Sequence, residues 1–180
     1  MPYTDRATLY TVGHSTRTTD EFTALLEESA VRLVVDVRAI PRSRTNPQFN
    51  SETLAASLAA IGIGYEHLPE LGGRRRRPPG APPSPNSFWR NDSFRNYADY
   101  AATDAFHIGL DRLSDLARTQ RCAIMCSESL WWRCHRRIIS DYLLARGTPV
   151  MHIMGPGKTE PATLTPNAHP LSNGSLVYRA

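Results

Sequence analysis

The residues of this chain most able to do chemistry fall in a few short runs: His14 and Ser15, Asp36 and Arg38, Cys126 and Glu128, and Cys134-His135-Arg136. A histidine such as His14 titrates in the range useful for proton transfer. Asp36 or Glu128 can activate a water molecule as a general base. Cys134, expected near the start of a helix and beside arginines, has surroundings that favour its thiolate. Cys126 ends an apolar run and is read either as a nucleophile, with His14 or His135 as its base, or as a small buried core residue. Ser15, Arg38, Cys134, His135 and Arg136 are expected to bind substrate, because an arginine fork suits phosphate or carboxylate. Asp36 interrupts an apolar run and needs a partner. Arg38, on the same face at strand spacing, is the natural one, in a pair that is either structural or catalytic. Cys126, Cys134 and His135 do not form a paired Cys-x-x-Cys pattern, so neither a metal nor a cofactor is expected.

These runs follow the elements that must position them. Leu9 to Gly13 reads as a strand, and a helix opens at Thr19-Asp20 with apolar positions at Phe22, Leu25 and Leu26. Arg32 to Arg38 reads as a buried strand, Ser51 to Ile61 as a helix, and Tyr65 to Leu68 as a weaker third strand. Helical spacing resumes from Asp92 to Arg118, as one long helix or two. Arg121 to Cys126 then reads as a buried strand, Arg133 to Arg146 as a helix closed by Gly147, and Pro149 to Met154 as a last core strand. The segment from Gly155 onward is expected to fold along the surface, with an edge strand at Ser175 to Tyr178. Alternating strands and helices imply a three-layer α/β fold, a largely parallel sheet with helices on both faces. Ligands of such sheets bind beyond the carboxyl ends of the strands, where the candidate residues gather. His14, Asp36, Arg38, Glu128 and His135 are therefore expected to line one crevice.

The formal charge of +4 is unevenly placed. Between Gly72 and Arg95 lie Arg74, Arg75, Arg76, Arg77, Arg90 and Arg95 against the single acid Asp92. Five prolines lie between Gly72 and Asn91, so the segment is expected to be an extended, mobile insertion. Its arginines can neutralise phosphates, and Trp89, Phe88, Trp131 or Trp132 can stack on a base. The alternative is a solvated loop.

Four of these pieces, taken in order, resemble a prokaryotic family catalogued as domain of unknown function 488: Thr11-Val12-Gly13-His14-Ser15; Asp36-Val37-Arg38 with Pro41 and Ser43; Leu71-Gly72-Gly73; and Cys126-x-Glu128 followed by Cys134-His135-Arg136. The resemblance implies an α/β fold with a polar pocket built from those motifs, in a family whose contexts suggest nucleic-acid modification or defence. It supplies no reaction.

Length allows one core-forming domain, residues 1–180. The leading residues lack an export pattern, no apolar run is long enough to span a membrane, and three cysteines suit a reducing compartment, so a cytoplasmic protein with free thiols is expected. The leading expectation is an enzyme acting on nucleic acid, DNA rather than RNA, or on a nucleotide, by hydrolysis of the N-glycosidic type. A thiol-dependent enzyme acting on a small metabolite is the alternative, and a non-catalytic nucleic-acid sensor is a third possibility.

Overall fold

The computed structural model describes residues 8–180, so most of the leading residues read for export lie outside it. Five parallel strands and one antiparallel edge strand form a sheet in the order β3-β2-β4-β1-β5-β6. They are β1 (Leu9–Gly13), β2 (Leu33–Asp36), β3 (Gly64–His67), β4 (Cys122–Cys126), β5 (Val150–Gly155) and β6 (Lys158–Pro161). Helices α1 (Thr19–Glu28) and α2 (Ser51–Ala59) cover one face. Helices α3 (Asp92–Tyr100), α4 (Asp104–Thr119) and α5 (Arg136–Ala145) cover the other. This is the three-layer arrangement expected.

Sequence periodicity divides the core. Along β4, Cys122, Ile124 and Cys126 face the α3–α5 layer, whereas Ala123 and Met125 face α1 and α2. The alternation is the two-residue period of a strand buried on both faces. Because Cys126 points towards α5, it meets the residues at that helix's start.

The chain leaves β1 towards β2 on one side and leaves β4 towards β5 on the other, although β1 and β4 are neighbours. Right-handed crossovers then put α1 and α5 on opposite faces. The two connections diverge and open a crevice beyond the carboxyl ends of β1 and β4. The carboxyl end of β2, with Asp36, lies on the far side of β4.

One open reading closes and two expectations change. The Asp92 to Arg118 stretch is two helices, because Asn91 caps α3 and Thr103 starts a new cap for α4. The segment after Gly155 is not a surface tail. β6 pairs with β5 as the sheet's edge, while β7 (Ala168–Pro170) and β8 (Leu176–Tyr178) form a separate hairpin with Leu176, Val177 and Tyr178 buried. The expected edge strand at Ser175 to Tyr178 thus pairs with β7 and not with the main sheet. The Arg/Pro-rich segment is extended but tethered. Asn86 donates to Asp99 and accepts from the Tyr178 amide, and Phe88 N–H donates to the Tyr178 carbonyl. Among the described residues no helix is long and apolar enough to cross a membrane.

Candidate functional site

The crevice between β1 and β4 holds a cleft of about 640 Å³ whose lining includes His14, Ser15, Arg38, Glu128, Cys126, Cys134 and His135. Arg42, Arg44 and Arg74 also line it, from the loops after β2 and β3. Four arginines stand against one lining carboxylate, Glu128, a charge balance that favours an anion. Among the described residues no three His, Cys, Asp or Glu side chains are grouped to hold a metal ion.

Asp36 does not reach the cleft. It is fully buried, and its carboxylate accepts from Arg38 Nε at 2.9 Å, Arg38 Nη2 at 2.7 Å, the Arg38 amide at 3.1 Å and Tyr65 Oη at 2.5 Å. A carboxylate with four donors has no lone pair left for a water molecule. The expected general-base role of Asp36 is therefore corrected to a structural one: it orients Arg38, which presents its guanidinium edge to the cleft. Arg38 Nη2 also donates to the Phe49 carbonyl at 2.7 Å. Burial and the positive charge of Arg38 hold the His14 pKa below its ordinary value, against opposing effects of the Ser15 carbonyl and Asp36. His14 stacks on Phe49 and donates from Nδ1 to the Ser15 carbonyl at 2.8 Å. Its Nε2 is thereby the acceptor, turned to Arg38 Nη1 at 3.4 Å.

The thiol chemistry is concentrated at the start of α5. Arg136 is 1% exposed, and no carboxylate pairs with it among the described ion pairs. Its Nε lies 3.0 Å from Cys126 Sγ and 3.2 Å from Cys134 Sγ. Nη1 donates to Thr11 Oγ1 at 3.0 Å, and Nη2 donates to the Glu128 carbonyl. A buried guanidinium needs an anion, and the group in place to supply one is a thiolate. Cys134 is the thiol placed to ionise there. Burial raises its pKa, but the Cys126 S–H donor at 3.1 Å, the Arg136 charge and the Arg136 amide at 3.2 Å outweigh burial and bring it to about 6. Burial and the neighbouring Cys134 push the Cys126 thiol well up instead. Burial also raises Cys122, to about 12. Cys134 is therefore the more readily ionised of the three thiols, as its expected place at a helix start suggested, and Cys126 is the buried thiol that faces it.

Arg136 is likewise corrected from phosphate ligand to the charge behind the sulfurs. A relay of buried groups holds it. Arg136 donates to Thr11 Oγ1, which also shares a hydrogen bond with His152 Nδ1 at 2.7 Å. The His152 ring stacks on Trp131 at 4.4 Å. Thr11 and His152 sit at core-facing positions of apolar strands, and only their polarity in such strands could have flagged them. His135 donates from Nε2 to the Val37 carbonyl at 2.6 Å, and burial holds it neutral by lowering its pKa. Glu128 Oε1 accepts from the Leu130 amide at 3.1 Å.

Two glycines let these parts meet. A Cβ on Gly13 would lie 1.9 Å from the Glu128 carbonyl oxygen, and one on Gly73 would lie 3.0 Å from His135 Nδ1. Ser15 and Arg74, both lining the cleft, have positive φ values of 49° and 58°, backbone strain of the kind that collects at functional sites.

The arginine run is only partly available. Arg75 donates to the Gly72 and Pro69 carbonyls and lies 3.8 Å over the Tyr100 ring, and Arg77 donates to the Ala81 and Pro82 carbonyls. Arg74 lines the cleft, and Arg76 is exposed on a neighbouring groove. Trp89 is corrected from a base-stacking face to a core residue: it is 6% exposed and stacks on Phe94, because the tethered loop folds it inward. The sequence reading missed Arg42, Arg44, Thr45 and Asn46, which line the cleft. Their one signal was their place directly after a strand's carboxyl end.

A search of curated proteins and of solved structures finds no significant match. A family model described as domain of unknown function DUF488 matches residues 18–143, well over half of the chain. The matched span contains Asp36, Arg38, Gly72, Gly73, Cys126, Glu128, Cys134, His135 and Arg136, and begins just after His14 and Ser15. The chain belongs to the DUF488 family.

Proposed function

We propose that this protein is a thiol-dependent enzyme that binds a small anionic substrate, a phosphate or carboxylate, on the arginines of the cleft and attacks it with Cys134. One observation carries the reading: the buried Arg136 guanidinium has no carboxylate partner among the described residues and touches the Cys134 sulfur. In such a reaction Cys134 forms a covalent bond to the substrate's electrophilic centre and expels the leaving group. Glu128, at the cleft wall, transfers the proton, while Arg38, Arg42, Arg44 and Arg74 hold the anion. Incubation with a panel of acyl phosphates and anionic thioesters, followed by intact-mass spectrometry, is expected to yield an adduct on Cys134 that is absent from Cys134→Ser. With a compound that turns over, Glu128→Gln is expected to lower the rate by about 10² to 10⁴-fold. Turnover that survives Cys134→Ser overturns the nucleophile, and a panel that leaves Cys134 unmodified overturns the reading.

The exposed arginines Arg42, Arg44 and Arg74 at the same cleft favour a second reading, in which the anion is the phosphate of a nucleotide or of DNA. Glu128 would then be the residue left to activate water for glycosidic hydrolysis. Oligonucleotide binding whose log-log salt slope falls by about 0.7 to 0.9 for each cleft arginine removed supports it, and a slope unchanged in Arg42→Ala and Arg44→Ala contradicts it.

A further inference from the structure

Cys126 and Cys134 differ in access as well as in charge. Both line the cleft, but Cys134 is half-buried whereas Cys126 is only 3% exposed. Their sulfurs lie 3.1 Å apart, so a small reagent that reaches Cys134 leaves the modified sulfur already in contact with a second thiol. Cys122, the third cysteine, lies at the other end of β4, where its S–H donates to the Gln120 carbonyl at 3.5 Å.

We propose that Cys126 and Cys134 form a reversible disulfide in response to a hydroperoxide, which closes the cleft's nucleophile in the oxidised protein. The Cys134 thiolate attacks the terminal peroxide oxygen. An S–O bond forms, the O–O bond breaks, and the departing oxygen takes a proton to leave as an alcohol or water, with Cys134 oxidised to a sulfenic acid. Cys126 then attacks the Cys134 sulfur. The S–O bond breaks, the hydroxyl departs with the Cys126 thiol proton as water, and a disulfide remains. A dithiol reductant restores both thiols by exchange. Closing the sulfurs from 3.1 Å to the ~2.05 Å of a disulfide requires about 1 Å of movement.

Arg136 gives the switch its bias. In the reduced protein its buried guanidinium faces the thiolate, and in the disulfide that anion is gone. The oxidised protein is therefore expected to melt below the reduced one and to be readily reduced.

The proposal depends on the Cys134 reading only for its effect on activity, and the disulfide is detected independently of any substrate. Wild-type protein at neutral pH is treated with one equivalent of hydrogen peroxide, blocked with iodoacetamide and mapped by mass spectrometry. The expected product lacks two hydrogens, contains a Cys126–Cys134 linked peptide, leaves Cys122 alkylatable after unfolding, and reverts with dithiothreitol. Cys126→Ser keeps a hydroxyl donor beside Cys134, and is expected to pass instead to sulfenic, sulfinic and sulfonic acid at Cys134. Peroxide-treated wild type that shows no linked peptide, or one that joins Cys122 or two molecules, overturns the proposal. If the disulfide is absent while Cys134 still forms substrate adducts, the switch fails and the enzymatic reading stands. The converse pair of results has the opposite meaning.

Discussion

At the level of single residues, the pairing of charges separates Asp36 from Cys134. Asp36 meets Arg38 in a bidentate, buried contact that spends the carboxylate and leaves Arg38 Nη1 turned to His14 at the cleft. Arg136 has the same burial without the carboxylate, and its charge falls on sulfur. The sequence could indicate the first pair, since two residues of opposite charge at strand spacing share a face. It could not indicate the second, because the distance from Arg136 to either sulfur depends on how α5 meets β4. The relay behind Arg136 makes stability sensitive to pH. Burial and the Arg136 charge hold His152 at about 3, below its ordinary value of 6.5. The unfolded chain therefore takes up a proton first on acidification. Stability contributed by neutral His152 is complete above pH ~6.5 and is lost as the pH falls towards 3, by about 1.4 kcal/mol per pH unit. His14 and His135, also lowered, act in the same direction. Thermal melts between pH 7 and 4 should show a steep fall for the wild type and a shallower one for His152→Gln. Equal slopes for the two would remove His152 from the account.

At the level of elements, strand and helix order was legible because β2, β4 and β5 are apolar runs and α1 to α5 carry apolar stripes at helical spacing. Loop conformation was not legible. The prolines and arginines of residues 72–91 suggest freedom, but Asn86 and Phe88 are tied to β8 across some ninety residues of chain (Asn86 to Tyr178 is 92), and Trp89 stacks on Phe94 of α3. Close approach is similarly invisible in one sequence. Gly13 looks like a turn residue, yet it is required because the end of β1 lies against the Glu128 carbonyl. Gly13→Ala is expected to cost several kcal/mol, since a backbone oxygen at 1.9 Å cannot be relieved by a rotamer change and one strand end must move. Urea unfolding measures this. A midpoint within error of the wild type would show that β1 and the loop after β4 are not held together as described.

At the level of the whole molecule, the divergence of the chain at β1 and β4 places the cleft, and the separation of α1 and α5 onto opposite faces keeps it open. The residues after Gly155 complete the core instead of decorating it. Tyr178 is fully buried and donates to Asp141 on α5, and the Leu176 amide donates to the Tyr142 hydroxyl. Ending the chain at Gly155 removes the edge strand and the buried Leu176, Val177 and Tyr178, with several kcal/mol of burial. The truncated protein is expected to lose cooperative unfolding. A sharp melt at the full-length temperature would return this segment to the surface role its composition suggests.

The central claim is that Cys134 is a thiolate at neutral pH because Arg136 and Cys126 face it. The most direct test is the rate of iodoacetamide labelling of each cysteine across pH 4 to 10, resolved by peptide mass. Labelling of Cys134 should rise with a midpoint near pH 6, with Cys122 and Cys126 lagging far behind at pH 7. In Arg136→Leu the Cys134 midpoint should move up towards ~8.5, the value of an unperturbed thiol. A wild-type Cys134 that labels with a midpoint near 8.5, or one that Arg136→Leu leaves unmoved at 6, would contradict the account.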